Sequence, residues 1–143
     1  MKEEMTVKSL NDQIVELVET SAIRDLIERY FHGLDSRDAE AMRSCFAHGS
    51  SVQFHTDTPA QFQHDGPAFA EFLIEGFVRH RARSHMIGSI QIKVDGDFAI
   101  GRTQAVAFMI DPKNHGEVRG LLYEDEFVKV DGAWKIKLRK HTP

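Results

Sequence analysis

The sequence predicts an α+β domain in which helices come first and an antiparallel sheet follows. Two observations carry this. Apolar residues recur at three- and four-residue intervals up to residue 78, and from residue 86 onward they alternate with a period of two. The strand-like segments also succeed one another directly, without the interleaved helices that parallel neighbours need. The chain of 143 residues is long enough to close one hydrophobic core without disulfides and leaves no room for a second domain. A single domain over residues 1–143 is therefore expected, with residues 1–8 a loose N-terminus.

The elements follow in order. Between Ser9 and Leu34, the residues Leu10, Ile14, Leu17 and Val18, then Ile23, Leu26, Ile27, Tyr30 and Leu34, form one helical stripe, so that face should be buried. A break at residues 33–36 precedes a second helical stretch, 37–46, marked by Ala41, Met42, Cys45 and Phe46. Residues 51–55 alternate briefly. Gly66 and Pro67 then open a third helix, 68–78, with Phe69, Phe72, Leu73, Gly76 and Phe77 on one face; Pro67 suits a first turn, where its missing N–H would go unused.

After this helix Met86, Gly88, Ile90, Ile92 and Val94 alternate with polar residues, and Asp95-Gly96 turns the chain. Phe98, Ile100, Arg102, Gln104, Val106 and Phe108 run back, with the small residues Ala99, Gly101, Ala105 and Ala107 on the other side. A third strand, 117–130, reaches the turn Asp131-Gly132, and Trp134, Ile136 and Leu138 alternate with Lys135, Lys137 and Arg139 in a fourth. Helices layered on one face of such a sheet leave a cavity in which a small ligand can settle.

Acidic residues outnumber basic ones by 22 to 18, and a net charge of −4 gives no attraction to nucleic acid or anionic membrane. The expected partners are a small hydrophobic molecule and further copies of the chain, as a dimer or trimer, because a sheet face without helices favours self-association. Cys45 is the lone cysteine, no apolar run approaches a membrane span, and the start of the chain has no apolar leader, so a cytoplasmic location is expected. No Gly-rich phosphate loop is present, and His48, His55 and His64 lack the spacing of zinc ligands, so neither a cofactor nor a metal is expected. The run Arg79-His80-Arg81-Ala82-Arg83 reads as a solvated connection, with a grip on an acidic substrate as its alternative role.

Several motifs together resemble SnoaL-like domains of the NTF2-like superfamily. They are Ala22-Ile23-Arg24-Asp25-Leu26 followed by Tyr30 and Leu34-Asp35-Ser36-Arg37-Asp38, then Ser84-His85-Met86, Asp95-Gly96-Asp97, Tyr123-Glu124-Asp125-Glu126-Phe127, and Asp131-Gly132-Ala133-Trp134-Lys135-Ile136 with Arg139. The resemblance spans residues 10–141 and implies a cystatin-like, NTF2-like cone: three N-terminal helices on a curved antiparallel sheet around a pocket. Scytalone dehydratase, ketosteroid isomerases, polyketide cyclases, bile-acid dehydratases and many non-enzymes share that scaffold, so fold alone does not fix function. The pattern is most similar to that of bile-acid 7α-dehydratases, whose Tyr, Asp and strand-start His correspond to Tyr30, Asp35 and His85; where they add an Asp on the next strand, this chain carries Ala107.

The candidate catalytic residues are accordingly Tyr30, Asp35 and His85. An imidazole takes and gives a proton near neutral pH, which suits His85 as general base; its plain alternative is a strand-end histidine in solvent. Asp35 would orient that imidazole, or else cap the second helix. Tyr30 would donate to an oxygen that gains charge, or else be a core tyrosine. In an unbroken helix Tyr30 and Asp35 lie about 140° apart, so they converge only through a bend at Gly33 or if Asp35 takes the flank facing the sheet. Phe54, Leu73, Phe77 and Phe108 are the expected substrate-binding walls, while Asp125 and Arg139 read as a cross-strand salt bridge. Cofactor-free dehydration or isomerisation of a cyclic, steroid- or polyketide-like molecule follows from this set, with a non-catalytic binding domain as the alternative.

Overall fold

A computed structural model describes residues 7–143. The expectation of a loose segment at 1–8 falls almost wholly outside the described residues. Helix α1 (Leu10–Ser36) is followed by α2 (Ala39–Arg43), strand β1 (Phe46–Phe54), a short strand β2 (Phe62–Asp65) and α3 (Gly66–Gly76), which tightens into a 3-10 turn at Phe77–Arg79. The strands β3 (Ala82–Asp95), β4 (Phe98–Ile110), β5 (Gly116–Val130) and β6 (Ala133–Thr142) complete the chain. The six strands form one open sheet in the order β2-β1-β6-β5-β4-β3. The fold class is α+β, as the patterning predicts.

The sheet is mixed. Strands β3 to β6 form the expected antiparallel meander, whereas β1 runs parallel to β6, and the whole of β2 to β5 serves as the long crossover that a parallel pair requires. Strand β2, short and polar, leaves no periodic trace in the sequence and was not foreseen. The two tight hairpins are where Asp and Gly indicated. Gly96 (φ 58°) begins the Gly96-Asp97 loop, and Asp131 and Gly132 (φ 50° and 79°) both take the left-handed conformations that match the twist of the flanking strands.

Helix α1 continues through Gly33 instead of breaking there. Gly33 serves close packing: a Cβ at this position would lie 2.9 Å from Met42 Cγ and 3.2 Å from the Asp38 carbonyl, so its absence lets α2 fold back onto α1. The core consists of Ile23, Leu26, Ile27, Tyr30, Phe31 and Leu34 from α1, Phe69 and Leu73 from α3, and Val52, Tyr123, Phe127, Trp134 and Ile136 from the sheet. Earlier in α1 the stripe Leu10, Ile14, Leu17 and Val18 is at least half exposed, against expectation, because burial in the helix begins only at Ile23. Glu19 fastens this part of the helix to the last hairpin by accepting from Trp134 Nε1 and, at 2.7 Å, from Lys129 Nζ.

The inner face of β4 is Ala99, Thr103, Ala105, Ala107 and Met109; the bulky Phe98, Ile100 and Phe108 face outward. Small side chains on this face leave room for rings from the neighbouring strand: a Cβ at Gly101 would lie 2.8 Å from the Phe127 ring. In β3 the pairing slips by one residue between Ile87 and Ile90, so two residues there oppose one on β4. This bulge changes the parity: His85 and Ile87 before it face inward together with Ile90, Ile92 and Val94 after it.

Candidate functional site

Asp35 occupies the last turn of α1, on the flank facing β3, and meets His85 there. Its Oδ1 lies 2.6 Å from His85 Nδ1, and its Oδ2 accepts the main-chain N–H of His85 at 2.8 Å. Both oxygens of one carboxylate are thus spent on one histidine, one on its ring and one on its main chain. With the carboxylate accepting from Nδ1–H, the lone pair of the neutral ring is on Nε2. The His85 side chain is 4% exposed and that of Asp35 25%. The Phe31 ring, with its centroid 5.4 Å from that of His85, covers the imidazole. Capping of α2, the alternative for Asp35, falls instead to Asp38, whose Oδ1 accepts the Ala41 N–H at 3.0 Å.

Tyr30 is buried among the rings of Phe31, Phe46 and Tyr123. The Arg139 guanidinium lies 4.2 Å from the Tyr30 ring centroid and 4.7 Å from that of Tyr123. Burial pushes the Tyr30 hydroxyl up to about 12 against the pull of the Arg139 cation, so it stays protonated and can donate. Arg139 is itself held by Asp125 through two parallel hydrogen bonds of 2.8 and 2.7 Å, the cross-strand bridge that the sequence suggested.

Tyr30 and His85 line one cavity of about 220 Å3 between α1, α3 and the sheet. Leu34, Phe54, Phe72, Leu73, Met109 and Leu121 supply apolar walls, and His55, Arg119, Tyr123 and His141 add polar groups. Phe54 and Leu73 are where the sequence placed them. Phe108 is not: it is 41% exposed on the outer face, because Ala107 and Met109 take the inner positions on either side of it. The side chain of Phe77 lies outside the described residues. Ala107 is the direct partner of His85 across the ladder and lines the cavity, so no carboxylate faces the imidazole from β4. A larger hollow of about 520 Å3 on the outer sheet face holds Arg102, Glu124 and Lys140, opposite charges in register across neighbouring strands, and no histidine enters it.

The basic run is a solvated connection only in part, with Arg79 and Arg81 exposed. Arg83 belongs to β3 and donates to the Leu34 carbonyl at 2.7 Å, while Arg37 donates to the His80 carbonyl at 2.7 Å, so this segment is fastened to the end of α1. His55, Arg119 and His141 were not selected from the sequence. The shared parity of Arg139 and His141 on the last strand was a usable signal, whereas His55 enters the cavity through a left-handed backbone (φ 54°) that no periodicity announces. Among the described residues no group of three or more His, Cys, Asp or Glu is placed to hold a metal ion, and no helix is long and apolar enough to cross a membrane.

A family profile described as the SnoaL-like domain matches residues 15–140. The chain belongs to that family. This SnoaL-like domain is similar to a solved protein from Novosphingobium aromaticivorans provisionally named a scytalone dehydratase, with 27% identity and a TM-score of 0.79 over 90% of this chain and 86% of the other. It is also similar to an NTF2-like protein with a cystatin-like fold from the same organism, at 20% identity and a TM-score of 0.78 over 98% and 91% of the two chains. The hexachlorocyclohexane dehydrochlorinase LinA-type3 of Novosphingobium barchaimii gives 20% identity and a TM-score of 0.77 over 90% and 88%. The last two likenesses speak for the fold alone.

Proposed function

We propose that this SnoaL-like domain is a cofactor-free dehydratase or isomerase that works by general acid/base catalysis on a cyclic, largely apolar ketone. The observation that carries this is the commitment of both Asp35 oxygens to His85 at the wall of a largely apolar cavity. A carboxylate on Nδ1 is the partner that suits a histidine base. A base needs one, because it fixes the tautomer, aims Nε2 and stabilises the imidazolium that forms. The resemblance to a protein provisionally named a scytalone dehydratase supports an elimination of water.

In this mechanism His85 Nε2 removes a proton from the carbon next to the carbonyl, and the C–H electrons move onto the carbonyl oxygen as an enolate. Tyr30, held protonated by burial, donates to that oxygen. The enolate then collapses and expels a β-hydroxyl, which leaves as water with the proton from imidazolium Nε2; return of that proton to another carbon gives isomerisation instead. A second reading, a binding domain without catalysis, is favoured by Ala107, which leaves His85 without a facing acid.

The two separate in a turnover assay on hydroxylated cyclic ketones, run across pH. His85→Gln should lower kcat by at least about a thousandfold, within the range for loss of a positioned base, with little change in KM or thermal stability. Retained turnover, or lost stability with activity kept, rejects the role of His85.

A further inference from the structure

The cavity contains a second imidazole that the mechanism above does not use. His141 lies two residues beyond Arg139 on the same face of β6 and lines the cavity that His85 lines. It is held by different means from His85. Thr56 donates its N–H to the His141 carbonyl at 2.9 Å, and the N–H of His55 points at His141 Nδ1 at 3.5 Å. The left-handed backbone at His55 (φ 54°) places that amide beside His141. Phe54 stacks on one face of the ring with centroids 4.4 Å apart, and Tyr123 approaches at 5.2 Å.

An imidazole nitrogen that accepts a backbone N–H carries no proton, so the proton of neutral His141 sits on Nε2. With Nδ1 engaged and one face covered, the Nε2 edge is what remains for an occupant of the cavity, and no hydrogen bond to it exists among the described residues. His85 and His141 are therefore opposite in kind: the first has its proton on Nδ1 and a lone pair for the substrate, the second a lone pair on Nδ1 and a proton for the substrate. We propose that His141 Nε2–H is a hydrogen-bond donor to the substrate's carbonyl oxygen, acting with Tyr30 as the second neutral group that holds the enolate. This rests on the acid/base reading of the same cavity.

The surroundings keep His141 in that form. Burial drives its imidazolium down to about 3, helped by the Arg139 and Arg119 cations and, when they are protonated, by His55 and His85. A donor that does not ionise at working pH strengthens its bond as charge grows on the oxygen and loses no proton to it. The proton balance of the reaction is unchanged: His85 takes and returns the proton, and His141 keeps its own throughout.

The test uses histidine-labelled protein and substituted 2-naphthols of graded acidity, whose naphtholate mimics an enolate. In ligand-free wild-type protein, nitrogen NMR should show His141 as the neutral Nε2–H tautomer from pH 5 to 8, with the Nε2–H resonance moving downfield when naphtholate binds. His141→Phe, which keeps the stacking on Phe54, should weaken naphtholate binding at least tenfold, and His141→Gln, which keeps a donor, should recover part of that. An Nδ1–H tautomer, an imidazolium near pH 6, or equal naphtholate affinity in His141→Phe overturns the proposal; because the tautomer is read on the wild type, a poorly folding variant does not protect it. Failure of the His85 role would appear instead as turnover surviving in His85→Gln.

Discussion

At the scale of single residues, one carboxylate does two jobs for one histidine, and replacing it separates them. Asp35→Asn keeps an acceptor for one of the two N–H groups but presents an amide that also donates, so His85 is free to take the other tautomer. Turnover should fall about 100-fold or more with binding largely kept, which steady-state kinetics would read as a loss in kcat. Asp125 and Arg139 predict a different outcome. Both are buried, so Asp125→Ala strands a cation in the core and should cost about 3–5 kcal/mol of stability in a denaturant titration, whereas removing both charges in favour of apolar residues of similar volume should restore much of it. The residue types at the site were legible beforehand: Tyr30, Asp35 and His85 stand in the sequence at the places the family resemblance marks. Their contacts were not, since Asp35 and His85 are 50 residues apart and each had an equally sound local alternative.

At the scale of elements, the helix and strand periods located the long segments correctly but did not reveal which side of them mattered. On β4 the bulkier stripe was the outer one, because small residues on the inner face leave room for the Phe127 ring beside Gly101 and for the cavity at Ala107. On β3 a single extra residue exchanges the faces, so alternation counted from Met86 puts His85 on the wrong side. Gly33 was read as a break and proves to be a contact. Alanine there would gain about 1 kcal/mol in helix propensity but must displace Met42 and the Asp38 carbonyl, so Gly33→Ala should lose about 1–3 kcal/mol net, measurable as a lower Tm. A rise in Tm would mean that α2 can move aside without cost.

At the scale of the whole molecule, stability should fall on acidification earlier than carboxylate titration alone would bring. His141 has its folded value depressed to about 3, below the 6.5 of an unfolded histidine, by burial first and by nearby positive groups second. Between these values the unfolded chain binds the extra proton, so the contribution of His141 is complete above pH 6.5 and drains away as pH falls toward 3, at up to about 1.4 kcal/mol per pH unit. His55, shifted the same way by burial, adds to the loss, and Glu19, lowered by its bond to Lys129, adds to it only in the carboxylate range. Denaturant midpoints measured from pH 7 to 4 should show a slope that His141→Phe flattens; an unchanged slope would place the acid sensitivity elsewhere. By itself the sequence determined the three helices, the four-strand meander, the tight turns and the family, because period, glycine chemistry and linear motifs are properties of neighbours along the chain. Only the tertiary structure decided that β1 lies parallel to β6, that Asp35 grips His85 and that His85 and His141 share a cavity. Those depend on a strand bulge and a left-handed turn, where one residue's backbone angle reverses which side chains meet, and no periodic signal records such an angle.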